Sequence, residues 1–145
     1  MAITRRQARE DALQLLYAHE VSGNPVQDIV KNTSIIPSRQ DGSSFDDFTV
    51  KLVKKTAKSS KECEKFIKKH AQNWDLNRIA LIDKLVLRIA MTEFLCFPDI
   101  PPKVTINEAL EVAKRFSTGK SVKFINGILN AVHEELLAGN ETKKL

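Results

Sequence analysis

Between Arg78 and Phe97 the apolar residues Ile79, Ile82, Leu85, Val86, Ile89, Ala90, Phe94 and Leu95 spread over most of the circumference of a helix drawn through them. Such a helix must be covered on several sides, which places it at the centre of a bundle. At 145 residues and 42% hydrophobic, the chain can bury one core of ordinary size. Five Gly, five Pro and 6% aromatics favour helices over a many-turned β-sandwich. The expectation is an all-α domain over 1–145, with an N-terminal helical half over about 1–73 and a C-terminal half over about 74–140 that meet near Trp74.

Local signals divide the rest into helices. Thr4 and Gln7 can form an entry cap for a helix that runs to about Val21 and stops at Gly23, with Ala8, Ala12, Leu15 and Leu16 at helical spacing. Asn24-Pro25 reads as a cap with proline at the first helical position, opening a short second helix to about Thr33. Ile35 to Ser44 reads as a loop. Phe45, Phe48, Leu52 and Val53 define a third helix to roughly Lys58, and Ser59 with Glu62 can cap a fourth carrying Cys63, Phe66, Ile67 and His70. Asp75 or Asn77 is the expected cap of the central helix, which Pro98 ends. Thr105 and Glu108 form an S/T-x-x-E pattern behind Pro101-Pro102, so the next helix is expected to start there. Ser121 is the expected cap of a last helix to about Ala138, with Ile125, Ile128, Leu129, Val132 and Leu136 inward. Gly127 within it predicts a close helix–helix approach, since glycine there costs about 1 kcal/mol relative to alanine.

The search for reactive groups returns negatives. His19, His70 and His133 fall on three different predicted helices without metal-ligand spacing, and no phosphate loop, dinucleotide fingerprint or nucleophile elbow is present. No catalytic residue, metal site or cofactor is expected. No apolar run is long enough to span a bilayer and no signal core opens the chain, so a cytoplasmic protein with no membrane contact is expected. Cys63 and Cys96 then read as two buried reduced thiols.

The net charge of +5 is unevenly placed. Arg5, Arg6 and Arg9 share one side of the first helical turns, and two of them sit where the macrodipole is already positive, at a cost of about 0.3–1 kcal/mol each. Clustered guanidinium groups beside free helix N–H groups suit phosphate. A merely solvated terminus is the competing reading. Eight lysines between Lys51 and Lys69 read as the solvated face of amphipathic helices, with diffuse attraction to nucleic acid as the alternative, and stay outside the expected site. Lys120, Ser121, Lys123 and Phe124 surround another helix start. Phe124 lies about 100° from the Ile125 stripe, so it either stacks on a nucleobase or packs against the preceding helix.

Several separated blocks then gain a common meaning. RRxxR with Ala12, Gln14, Leu16 and Tyr17, the central Leu87, Arg88, Ala90 and Glu93, and Val104, Asn107-Glu108-Ala109, Ala113-Lys114, Phe116 and KFINGIL occur in an order that resembles the NusB family of transcription antitermination factors over nearly the whole chain. The resemblance implies a compact fold of about seven helices in two small helical subdomains, without catalysis. It implies pairing with NusE, a small-subunit ribosomal protein, binding of single-stranded boxA RNA, and action with other Nus factors in a transcription elongation complex across ribosomal RNA operons. Carried over by position, the RNA-binding residues are Arg5, Arg6, Arg9, Lys120, Ser121, Lys123 and Phe124. Gln7 stands where some members have a further arginine, and Lys120 where some carry an acid, which implies RNA binding less dependent on the partner. Thr92 replaces a frequent tyrosine, and Tyr17 reads either as an RNA contact or as a core-edge residue.

The expected mechanism holds the arginine trio beside the Lys120–Phe124 turn, so that cations neutralise phosphates while Phe124 offers a stacking surface. A homodimer, a DNA-binding regulator and a pure interaction scaffold are the alternatives. A further one, the NusB-like front module of ribosomal RNA cytosine methyltransferases, would need a cofactor-binding domain that this sequence does not contain.

Overall fold

The computed structural model describes residues 3–36, 44–71 and 78–143, with side chains as far as 139. The helices are α1 (Arg5–Ser22), α2 (Val26–Ile29), α3 (Asp47–Lys58), α4 (Ser60–His70), α5 (Leu81–Cys96), α6 (Pro102–Phe116) and α7 (Gly119–Lys143), with one 3-10 turn at Thr33–Ile35. No strand occurs among the described residues. The expected cap at Asp75 or Asn77, the Trp74 boundary and most of the loop before Ser44 lie outside them.

α5 is the hub, as its all-round apolar character requires. It packs against α1, α3, α4, α6 and α7, and one continuous apolar cluster runs from Leu13 and Leu16 through Leu52, Ile67, Leu87 and Met91 to Ile125 and Leu129. Of the four charged side chains on α5, Asp83, Arg88 and Glu93 each tie it to other elements. Arg88 donates to Glu20 of α1 at 3.0 Å and lies 3.7 Å from Glu64 of α4. Asp83 and Glu93 are buried and fully engaged, as described below.

Local signals set some helix ends and miss others: Pro25, not Asn24, is the cap residue of the second helix, α3 starts at Asp47 rather than at Ser44–Phe45, and Ser59 precedes α4 without a side-chain cap bond. The Thr4–Gln7 capping box is complete, and α1 ends on Gly23 in the left-handed region at φ 75°. The short second helix begins after Pro25 and is only four residues long. Two later starts need correction. α6 begins at Pro102, not at Thr105, because proline at the first helical position gives up only an N–H that has no partner there anyway. The Thr105 hydroxyl is then free to donate to Glu93 at 2.8 Å. Likewise α7 begins two residues before Ser121: the Thr118 hydroxyl accepts from the Ser121 backbone N–H at 3.2 Å and takes the capping role.

Two further expectations fail. A Cβ built on Gly127 meets nothing within 4 Å, so no close helix approach explains that glycine. Of the two thiols, both free, Cys63 is buried but Cys96 only half-buried. Burial pushes the Cys63 thiol up to about 11. The three histidines are structural and far apart in role: His19 bonds the Asn24 carbonyl, His70 meets Glu135 at 2.6 Å, and His133 stacks on Phe94. No helix among the described residues is long and apolar enough to cross a membrane.

Candidate nucleic-acid interface

The arginine trio at the start of α1 divides into three environments. Arg9 points inward and is only 4% exposed. Its Nε and Nη2 each donate at 2.8 Å to the two carboxylate oxygens of Glu93, itself 1% exposed. This is the planar fork-to-fork geometry that favours arginine over lysine in buried pairs. Glu93 also accepts from Thr105, so one carboxylate joins α1, α5 and α6. Arg9 therefore leaves the expected phosphate-binding set: its charge is spent on a partner 84 residues away.

Arg6 is half-exposed and forks onto Glu108 of α6 at 3.1 and 2.8 Å. Hydrogen bonding from Arg6 holds the Glu108 carboxyl below its ordinary value, with Arg9 adding a weaker coulombic pull from 3.8 Å. Arg5 is exposed, and its guanidinium lies 3.9 Å from the centroid of the Phe48 ring of α3. One face of that guanidinium is thus fixed by an aromatic ring.

A second ion pair runs the opposite way across the α1–α6 seam. Arg115 near the end of α6 donates to Glu10 of α1. Neither Glu10 nor Arg115 stood out in the sequence, because their partnership is set by helix packing rather than spacing. Farther along the seam, Tyr17 is 42% exposed in a groove that it shares with Gln14, Val21, Ile82 and Phe116.

The turn from α6 into α7 is anchored by the buried Asp83, which accepts from the hydroxyls of Ser117 and Ser121, each at 2.6 Å. Ser121 is therefore a positioning residue, its hydroxyl turned to Asp83. Lys120 and Lys123 are exposed. Phe124 is 8% exposed and belongs to the apolar cluster, which withdraws it as a stacking surface. The reason is that α7 buries two adjacent columns, Phe124–Ile128 and Ile125–Leu129–Val132, so a position 100° off the stripe is still inside. An aromatic face for a base is offered instead by Tyr17, whose neighbours Ile82 and Phe116 adjoin Asp83 and Ser117 in the chain.

The two basic regions are thereby linked through α6. Arg6 is bonded at Glu108, and the anchored turn begins at Ser117, roughly 14 Å farther at about 1.5 Å per helical residue. The elements so joined present exposed cations and, at Tyr17, an exposed aromatic ring. Among the described residues no cluster of His, Cys, Asp and Glu has the makings of a metal site.

Comparison with known proteins gives a consistent pattern. The NusB family model matches residues 6–134. A transcription antitermination protein NusB from Chloroherpeton thalassium is 47% identical over 137 residues, a match covering 94% of this chain and 64% of that relative. The chain thus spans a little under two thirds of that relative's length. The NusB of Koribacter versatilis is 41% identical over 140 residues, covering 97% of this chain and 95% of the relative. Among solved structures, T. maritima NusB superposes with a TM-score of 0.75 at 32% identity, covering 93% of this chain and 94% of that one. A chain from a crystal structure of antitermination factors NusB and NusE in complex with dsRNA gives 0.76 at 20% identity, with 90% and 96% covered, a likeness of fold.

Proposed function

Because the chain belongs to the NusB family, we propose that it is a non-catalytic, RNA-binding antitermination factor. It binds a single-stranded boxA-type RNA together with a NusE-like ribosomal protein, and acts in the cytoplasm within an elongation complex that contains other Nus factors. The reading is supported by three observations: Arg6, next to Arg5 in α1, is held at the α1–α6 seam by Glu108; Tyr17 is exposed in a groove shared with Phe116 of α6; and Ser121, between the exposed Lys120 and Lys123, is anchored to Asp83 at the turn after α6. Arg5 and Arg6 take phosphates, Tyr17 stacks on a base, and Lys120 and Lys123 receive the strand at the Asp83-anchored turn. Arg9, Ser121 and Phe124 hold that surface in shape from behind. Arg6 is already bonded to Glu108, so RNA shares rather than creates its charge-assisted contact.

The test is titration of a labelled boxA-like RNA, alone and with NusE, at several salt concentrations. Log affinity should fall with log salt by about 0.7 for each phosphate neutralised, and Arg5→Ala with Arg6→Ala should flatten that slope by about 1.4. Tyr17→Ala should weaken binding by about 1–3 kcal/mol while leaving the fold intact, whereas Phe124→Ala should act on stability. An unchanged slope removes the arginines from the site. Equal competition by duplex DNA favours a DNA-binding regulator, and absence of RNA affinity with or without NusE leaves an interaction scaffold. Light scattering on the same samples separates a homodimer from a monomer.

A further inference from the structure

A second concavity, of about 740 Å³, lies between α3 and α4 and is closed by Cys96 of α5 and Glu135 of α7, and the proposed function makes no use of it. Its lining includes Lys55, Lys58, Lys61, Lys65 and Lys69, against the carboxylates Glu62 and Glu135. All five lysines are exposed, and among the described residues Lys69 alone is ion-paired, to Glu135 at 3.0 Å. The lysines of α3 and α4 repeat at helical spacing, so that 51 and 55, 54 and 58, 61 and 65, and 65 and 69 are like-charged i,i+4 neighbours. Each such pair opposes helix formation by about 0.2–0.5 kcal/mol. An ordinary solvated face would interleave acids, and between Lys51 and Lys58 there is none, the one carboxylate of α3 being Asp47 in its first turn. Breaking a local rule repeatedly at one place, around one hollow, is the pattern of a binding surface.

The hollow is continuous with the proposed RNA surface. Arg5 lies over Phe48, Lys51 one turn farther along α3 lies 5.1 Å from the Phe97 ring, and Phe48 and Phe97 meet edge to face. Arg5, Lys51 and these rings line a neighbouring groove, and Cys96 lines both that groove and the lysine hollow. Basic side chains thus lead from the start of α1 into the angle between α3 and α4, along a groove that also holds the carboxylates Asp47, Asp99 and Glu108.

We propose that this hollow is a second RNA site, which takes the phosphodiester backbone of the segment flanking the one held by α1. Lysines act there as point charges, with no arginine fork and no exposed ring among the lining residues to read bases, so the contact is independent of sequence. The inference rests on the RNA-binding reading above and extends the path of the strand.

Two oligouridylates, one of six and one of twenty nucleotides, separate the two ideas. For the unaltered protein, the salt dependence of log affinity should be steeper for the longer strand. The exposed triple change Lys58→Gln, Lys61→Gln, Lys65→Gln should remove about 2 from that slope for the longer strand and leave the shorter one unchanged. Between 50 and 200 mM salt this difference amounts to roughly a twentyfold smaller loss of affinity. Circular dichroism of the variant checks the fold. If the six-nucleotide strand binds and responds to Arg5→Ala/Arg6→Ala while the longer one gains no slope, the second site is refuted and the first survives. Failure of both strands to bind refutes the second site, while the boxA titration with NusE decides the first. Capture of polyglutamate by the unaltered protein but not the triple variant, without any RNA length effect, would make the hollow a dock for an acidic protein and overturn the proposal.

Discussion

Arg9→Ala is the sharpest test of the division of labour within the arginine trio. The Arg9–Glu93 pair is almost wholly buried, and Glu93 accepts three hydrogen bonds of 2.8 Å, two from Arg9 and one from Thr105. Truncating Arg9 leaves an ionised carboxylate in the centre of the bundle with a single neutral donor. Removing one partner of such a pair costs about 3–5 kcal/mol, a large share of the roughly 5–15 kcal/mol available to a domain. At this size that corresponds to a midpoint lowered by roughly 10–20 °C. Exchanging both partners for apolar residues of similar volume, Arg9→Met with Glu93→Leu, should recover most of the loss, since the desolvated charges vanish together. Thermal and urea unfolding followed by circular dichroism measure both effects. At a temperature where the single variant is still folded, its RNA salt slope should equal that of the unaltered protein. A loss below about 1 kcal/mol, the range of an exposed pair, or a flattened slope, would refute the assignment of Arg9 to the interior.

Two further expectations follow from the same geometry. Gly127→Ala should stabilise by up to about 1 kcal/mol, because a Cβ meets open space in a helix interior, while Gly23→Ala should destabilise by about 1–2 kcal/mol through its positive φ; chemical denaturation distinguishes the signs. Glu108 has a folded-state pKa depressed below the usual 4.5, chiefly by the Arg6 hydrogen bond, so it binds protons more readily unfolded than folded. Its contribution is therefore present above that value and lost as pH falls through the lower folded one; Glu108→Gln should remove this part of the acid-induced loss, as read from unfolding midpoints between about pH 5 and pH 2.

The parts of the fold legible in the sequence were those decided locally. The Thr4–Gln7 box and the Gly23 stop are settled within one turn of chain, and the all-round apolar α5 needed only counting. The misplaced helix starts share a cause. Thr105 and Glu108 look like a local cap but serve Glu93 and Arg6, and Ser121 looks like a cap but serves Asp83. A polar side chain bonded across the fold carries the same letter as one bonded to its own turn. For the same reason nothing in RRxxR separates Arg9 from Arg6. A signal was present on α5, where an acid at 93 in the most apolar part of the helix needs a buried donor, although Asp83 on the same helix shows that hydroxyls can serve as well as a cation. For Phe124 the sequence left packing and stacking open, and burial decides for packing because the neighbouring helices cover more of α7 than a stripe one residue wide.

The opposed pairs across the α1–α6 seam also guard against assembly errors. α1 presents a base at Arg6 and an acid one turn later at Glu10, while α6 presents the acid Glu108 before the base Arg115. Were α1 to settle a turn out of place during folding, Glu10 would arrive opposite Glu108, acid against acid, with Arg6 left without its carboxylate. Apolar contacts alone tolerate such a slip, since one alanine or leucine resembles the next. The alternating signs make the misregistered bundle repel itself, and so favour a single alignment of the two helices.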